Sequence, residues 1–143
     1  MAQFSWNGLD ELTLSIKEIA EIPDEVQDEM LRAGAEVAAK AQREKVLEYG
    51  IFDASSPEHV ADSIKPGEIK LKKGRRIIYV SPTGSRRRGN TVTRNSEILF
   101  INEFGKRGQK ARPAVRDANK ASAEAVTAAQ MEIYDKYLKS KNL

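Results

Sequence analysis

The segment Ala114–Leu138, "AVRDANKASAEAVTAAQMEIYDKYL", constrains the fold of this chain more than any other stretch. It is long, alanine-rich and free of glycine and proline, which predicts a helix started by Pro113. Val115, Ala118, Ser122, Ala125 and Ala129 fall on one face, and their small size would let another helix or a sheet approach closely. A second helix is predicted from Pro23, with Asp24 and Glu25 in its first turn, where acids complement the helix dipole. Val26, Met30, Ala33, Val37 and Ala41 form its apolar stripe, and Gly50 can close it in the left-handed conformation.

Between these helices the pattern shortens. "EIKLKKGRRIIYVSP" reads as a hairpin in which Ile69 and Leu71 alternate with charges, Lys73-Gly74 turns, and Ile77 to Val80 returns. "TGSRRRGNTVTRNS" is polar and rich in glycine and arginine, and about 84–95 is expected to be a mobile loop or protruding arm. "EILFINEF" is expected to be a further strand. Near the start, Phe4 and Trp6 alternate before a turn at Asn7-Gly8, and Leu9, Leu12, Ile16 and Ile19 predict a short amphipathic helix. Ser56-Pro57-Glu58 predicts a helix start running to about Ile64. Nothing alternates as βαβ. The expectation is one α+β domain over 1–143, a small antiparallel β-sheet packed against a long N-terminal helix and a C-terminal helix, with a frayed tail over about 138–143.

Composition narrows the chemistry. The chain has 143 residues, 31% charged, and no cysteine, which excludes disulfides and thiolate metal sites. Its single histidine, His59, would have to stand at the centre of any zinc or Ser-His-Asp arrangement. Glu58 and Asp62 lie near it, but no nucleophile or oxyanion device is spelled nearby. "GKRGQK" and "GSRRRG" lack the ending of a phosphate loop. No catalytic, cofactor-binding or metal-binding residue is assigned, and neither an enzyme nor a small-molecule substrate is expected. No basic start precedes an apolar run, and nothing approaches the roughly 20 apolar residues of a membrane span, so a cytosolic protein, or part of a particle assembled in the cytosol, is expected.

The net charge of +3 hides an asymmetry. Acids dominate Asp10 to Glu36, whereas bases dominate Lys65 to Arg116. Lys72, Lys73, Arg75, Arg76, Arg86, Arg87, Arg88 and Arg94 form a candidate surface for phosphates or for an acidic protein face. Aromatic residues for base stacking are absent from that cluster apart from Tyr79. The choice between non-specific contact with DNA and contact between copies of the chain therefore stays open. Glu103 is read as structural, paired with Arg112 or Lys106. Gly105 to Gly108 would turn the chain and Pro113 would start the last helix.

"NSEILFINEFGKRGQKARPAVRDA" resembles the C-terminal half of the Hong Kong 97 phage-type putative tail-component family. Glu103-Phe104-Gly105 and Ala111-Arg112-Pro113 carry the resemblance best. "FSWNGLDELTLSIKEI", Val26 to Leu47 and Ser63-Ile64-Lys65 extend it through most of the chain, while Ser55, Ser56 and Pro57 stand where members show Asp-Thr-Gly. The resemblance implies an α+β virion subunit forming a homo-oligomeric ring, often a hexamer, at the tail top or head–tail junction. Its implied partners are the major tail tube protein and head-connector proteins, with possible DNA contact in the lumen, and its implied place of assembly is the host bacterial cytoplasm. A ring requires two different, complementary faces on one subunit.

Overall fold

The computed structural model describes residues 3–6, 12–15, 22–51 and 60–141. The order is β1 (Gln3–Trp6), β2 (Leu12–Ser15), α1 (Asp24–Glu48), a 3-10 turn (Val60–Ser63), β3 (Ile64–Pro66), β4 (Lys70–Lys72), β5 (Arg75–Ile77), β6 (Val80–Pro82), β7 (Ser85–Arg88), β8 (Thr91–Arg94), α2 (Asn95–Phe104) and α3 (Ala114–Ser140). The fold is α+β, as the sequence implies. The sheet is divided into four antiparallel pairs: β1–β2, β3–β6, β4–β5 and β7–β8.

Helix α1 begins after Pro23, whose carbonyl accepts from the Val26 and Gln27 N–H groups at 3.0 and 3.1 Å. At its other end Gly50 takes φ +70°, Gly50 N–H donates to Leu47 O, and Ile51 N–H donates to Val46 O. This pair of bonds is a Schellman closure, and Ile51 and Val46 both enter the core beside it. The buried face holds Met30, Leu31, Ala35, Ala38, Ala39 and Val46, while Val26, Ala33, Val37 and Ala41 lie at its margin. The buried face is rotated from the expected stripe, and its small residues Gly34, Ala35, Ala38 and Ala39 permit a close approach by another element.

That approach is to α3. Gln42 of α1 and Tyr49 just past its end bond Asn119 and Asp117 of α3, so the two helices run antiparallel from a shared corner. Ala114, Val115, Ala118 and Val126 bury against α1, with Leu99, Ile64, Ile78 and Val80 closing the core. Gln42 Nε2 donates to Asn119 Oδ1 at 2.9 Å inside this apolar seam. A bond here selects one longitudinal register, because sliding either helix leaves two buried amides unpaired. Ala125 faces solvent and Ala129 is half-buried, so only the first part of the expected small-residue face is covered.

Among the described residues several elements differ from expectation. Leu12–Ser15 is a strand paired with Gln3–Trp6, in register Trp6↔Leu12, and not part of a helix from Leu9 to Ile19. Strand pairing overrides a weak local period there. "EILFINEF" is helical, as α2. An apolar run this short fits either state by periodicity, and inward-facing Leu99, Asn102 and Glu103 reveal the i, i+3, i+4 spacing. The arginine-rich stretch, expected as a mobile loop or a protruding arm, is a regular exposed hairpin and not an irregular loop: β7–β8, turned by Gly89-Asn90 with Gly89 at φ +57°. The final helix continues through Ser140, past the point where fraying was expected. The predicted helix start at Ser56-Pro57-Glu58, the turn at Asn7-Gly8 and His59 lie outside the described residues. The Lys73-Gly74 turn is observed, with φ +50° and +76°, but its return strand ends at Ile77 and Val80 pairs with β3 instead.

Asn119→Ala is expected to lower the unfolding free energy by about 1–3 kcal/mol, because it strands the buried Gln42 amide. Lys120→Ala, one residue on and exposed, is expected to change it by less than about 0.5 kcal/mol. Urea titrations of both variants measure the contrast.

Candidate functional site

Helix α3 starts at a proline that offers no side-chain cap. Its first N–H groups need an acceptor from elsewhere. Glu103, at the end of α2, supplies it: Oε2 accepts from Val115 N–H at 2.9 Å and Oε1 from Arg116 N–H at 2.8 Å. These are the second and third residues of α3, the positions that a local capping side chain would serve. Glu103 is therefore a capping carboxylate delivered from a neighbouring helix. Burial pushes its pKa above the ordinary glutamate value, while the two backbone donors pull the other way.

This corrects the expected ion pair between Glu103 and Arg112 or Lys106. Arg112 turns away from Glu103: Nη1 donates to Tyr49 O and Gly50 O at 3.2 and 3.3 Å, and Nη2 donates to Asn102 Oδ1. The carbonyl end of α1 carries partial negative charge, so it holds a guanidinium without an acid. Asn102 is the hub of the corner. Its Nδ2 donates to Ile98 O, its Oδ1 accepts from Gln109 Nε2 as well as from Arg112, and its carbonyl accepts Arg112 N–H at 2.6 Å.

Gly105 and Pro113 hold the places predicted for them. Gly105 stops α2 at φ +79°, and a Cβ there would lie 2.9 Å from both Ala111 N and Gln109 O. Only glycine fits this conformation and this space together. Lys106 and Gln109 exchange backbone hydrogen bonds around Arg107-Gly108, bringing the chain back toward α2. Tyr49 OH donates to Asp117 Oδ2, which holds Asp117 below the ordinary aspartate value and raises the Tyr49 pKa. The ends of α1 and α2 and the start of α3 thus meet in one polar knot. Both Glu103 oxygens are engaged, and the nearest further acid, Asp117, is committed to Tyr49 and Arg116.

The predicted basic surface divides. Lys72, Lys73, Arg75 and Arg76 belong to β4–β5, whereas Arg86, Arg87, Arg88 and Arg94 belong to β7–β8, and these hairpins do not pair with one another. Arg76 faces inward, contrary to its expected interface role: Nε and Nη2 bind the Asp28 carboxylate of α1 at 2.6 and 2.7 Å, with Asp24 at 3.8 Å. Part of the acidic-to-basic attraction is thereby satisfied within one chain. Arg86 is half-buried, with Nε on Asn95 Oδ1 at 3.1 Å. Lys72 lies over the Tyr79 ring and donates to its hydroxyl. Lys73, Arg75, Arg87 and Arg94 are exposed.

Sequence reasoning missed the outer face of α2. Phe100 and Phe104 are 55% and 60% exposed, stacked edge-on with centroids 5.1 Å apart. Their i, i+4 spacing was the available signal, hidden by reading the segment as a strand. Among the described residues no cluster of three or more potential metal ligands occurs, and no helix is long and apolar enough to cross a membrane. No protein family, curated protein or solved structure matches the chain.

Glu103→Ala is expected to cost about 1–2 kcal/mol, as for other lost caps. Because burial raises the Glu103 pKa, the folded state binds the extra proton first. Its contribution is thus greatest at low pH and is lost as pH rises from the ordinary glutamate value through the folded one. Wild type should gain stability relative to Glu103→Gln between pH 7 and about 4.5, and a flat difference in thermal melts would refute this. Gly105→Ala should cost at least about 2 kcal/mol, combining a disfavoured φ with a backbone clash.

Proposed function

We propose that this chain is a structural subunit of a tailed-phage or prophage virion, acting as a ring at the tail top or head–tail junction. Its work is contact between proteins, without turnover of a substrate. The observation that carries the reading is the exposed Phe100–Phe104 pair beside the Glu103–Gly105–Arg112–Pro113 corner. The residues by which the sequence resembles the phage tail-component family build a rigid corner, and that corner holds out an aromatic ridge. Two large aromatic side chains left in water mark a surface that another protein covers.

The exposed cations Lys73, Arg75, Arg87 and Arg94 favour a second reading, a module that contacts nucleic acid without sequence preference. In a ring around DNA both readings apply to one object, since basic hairpins can meet phosphates without reading bases. The two differ in what binds first.

Negative-stain electron microscopy of the purified protein, with and without purified tail tubes, is expected to show rings seated on tube ends. A protein that stays monomeric and ignores tubes would overturn the virion reading. DNA affinity falling steeply with salt, in the absence of tube binding, would establish the nucleic-acid module in its place. Arg87→Ala with Arg94→Ala should leave the unfolding midpoint within about 2 °C, as these side chains are exposed. Arg86→Ala should lower it, because that guanidinium is packed on Asn95.

A further inference from the structure

The second half of α1 and the first half of α3 leave a surface groove of about 360 Å3 between them. Val37, Ala41, Ala118, Ala121, Ser122 and Ala125 line it between the two helices. Among the described residues two stacked rings, Phe100 and Phe104, are left exposed.

We infer that the Phe100–Phe104 ridge of one copy seats in the α1–α3 groove of the next, forming a head-to-tail contact between identical chains. This rests on the proposed self-assembly and specifies its surfaces. A ridge and a groove are different faces, so the contact is heterologous, and repetition generates a ring when the rotation closes.

Charge selects this occupant and its direction. Along the groove, α1 presents exposed Lys40 first, then exposed Glu44 and Glu48, with half-buried Lys45 between them paired to Glu48 at 3.2 Å. Along the ridge, α2 presents exposed Glu97 first, then Phe100 and Phe104, with Lys106 and Arg107 just beyond. At 1.5 Å per residue Lys40 to Glu48 spans about 12 Å, and Glu97 to Phe104 about 10 Å before Lys106 follows. With α2 parallel to the neighbouring α1, Glu97 meets Lys40, and Lys106 and Arg107 meet Glu44 and the outer side of the Lys45–Glu48 pair. The antiparallel placement sets acid against acid and base against base, which disfavours it.

Sedimentation velocity of the full chain tests the contact with two variants altered only at exposed positions. Phe100→Asp with Phe104→Asp breaks the ridge, and Ala121→Arg with Ala125→Arg fills the groove. Circular dichroism should give both the wild-type unfolding midpoint, because none of the four side chains is buried. Each variant alone should lose more than about 100-fold in association. An equimolar mixture should form a one-to-one complex that does not grow, since it retains one intact ridge and one intact groove. Glu97→Lys or Lys40→Glu singly should weaken wild-type assembly by about three-fold, and the two changes together should restore it.

A mixture that stays monomeric would overturn the contact. So would rings formed by either variant alone with wild-type affinity, an outcome that leaves the ring function standing and moves its interface elsewhere. A wild-type chain that remains monomeric and fails to bind tubes would overturn both. A monomer whose tube binding is abolished by Phe100→Asp would assign the ridge to the tube protein and overturn the contact between copies.

Discussion

The structure turns on a carboxylate that serves a helix other than its own. Pro113 sets the backbone direction for α3 but provides no cap, leaving N–H donors open at the start of a 27-residue helix. Glu103 closes two of them from the end of α2. The bond therefore does more than a local cap would, because it fixes the angle between two helices as well as the start of one. Its cost is the burial of an acid, visible in the raised pKa. The α3 dipole and the two donors offset enough of that cost for the carboxylate to remain in place.

Everything downstream follows from the direction given to α3. Running back along α1, it can bury small residues at close range only if the register is right. The Gln42–Asn119 bond and the Tyr49–Asp117 bond hold that register at two points along the seam. Arg112 ties the same corner to the carbonyl end of α1, where Gly50 and Ile51 have already closed the helix. The alanines that permit close packing continue past the buried seam onto the surface, and there they form a groove.

What was legible in the sequence is what backbone chemistry decides locally. Pro23, Gly50, the Lys73-Gly74 turn, Gly105 and Pro113 each announce a backbone conformation that few other residues accept, and the structure uses each of them so. Pairings across the fold were not legible. Glu103 and Arg112 were correctly singled out as corner residues but wrongly joined, because opposite charge suggests a pair and sequence gives no sign of a backbone acceptor or donor. Tyr49 and Asp117 lie 68 positions apart, and nothing local links them. The run Ile98-Leu99-Phe100-Ile101 fits a strand or a buried helix equally well, and that ambiguity concealed the aromatic ridge. Arg76 was grouped with its basic neighbours although β5 turns it toward Asp28.

The inward turn of Arg76 bears on how the chain meets its surroundings. An acidic helix and a basic sheet region on one polypeptide suggest attraction between copies, yet the shortest acid–base contact in the described residues joins α1 to β5 within one chain. Charge asymmetry of this kind first serves folding, holding a small hairpin against a long helix. Long-range attraction left over from it is screened within about 8 Å at physiological salt. Charge can then orient an approaching surface and exclude the wrong alignment, but holding it requires desolvated apolar area. The exposed Phe100–Phe104 pair of α2 offers apolar area of that kind, beside the corner where the ends of α1 and α2 meet the start of α3. On the proposal that the chain assembles, a contact face built on such a corner would lose little conformational freedom when covered, and would anchor a partner better than the two basic hairpins.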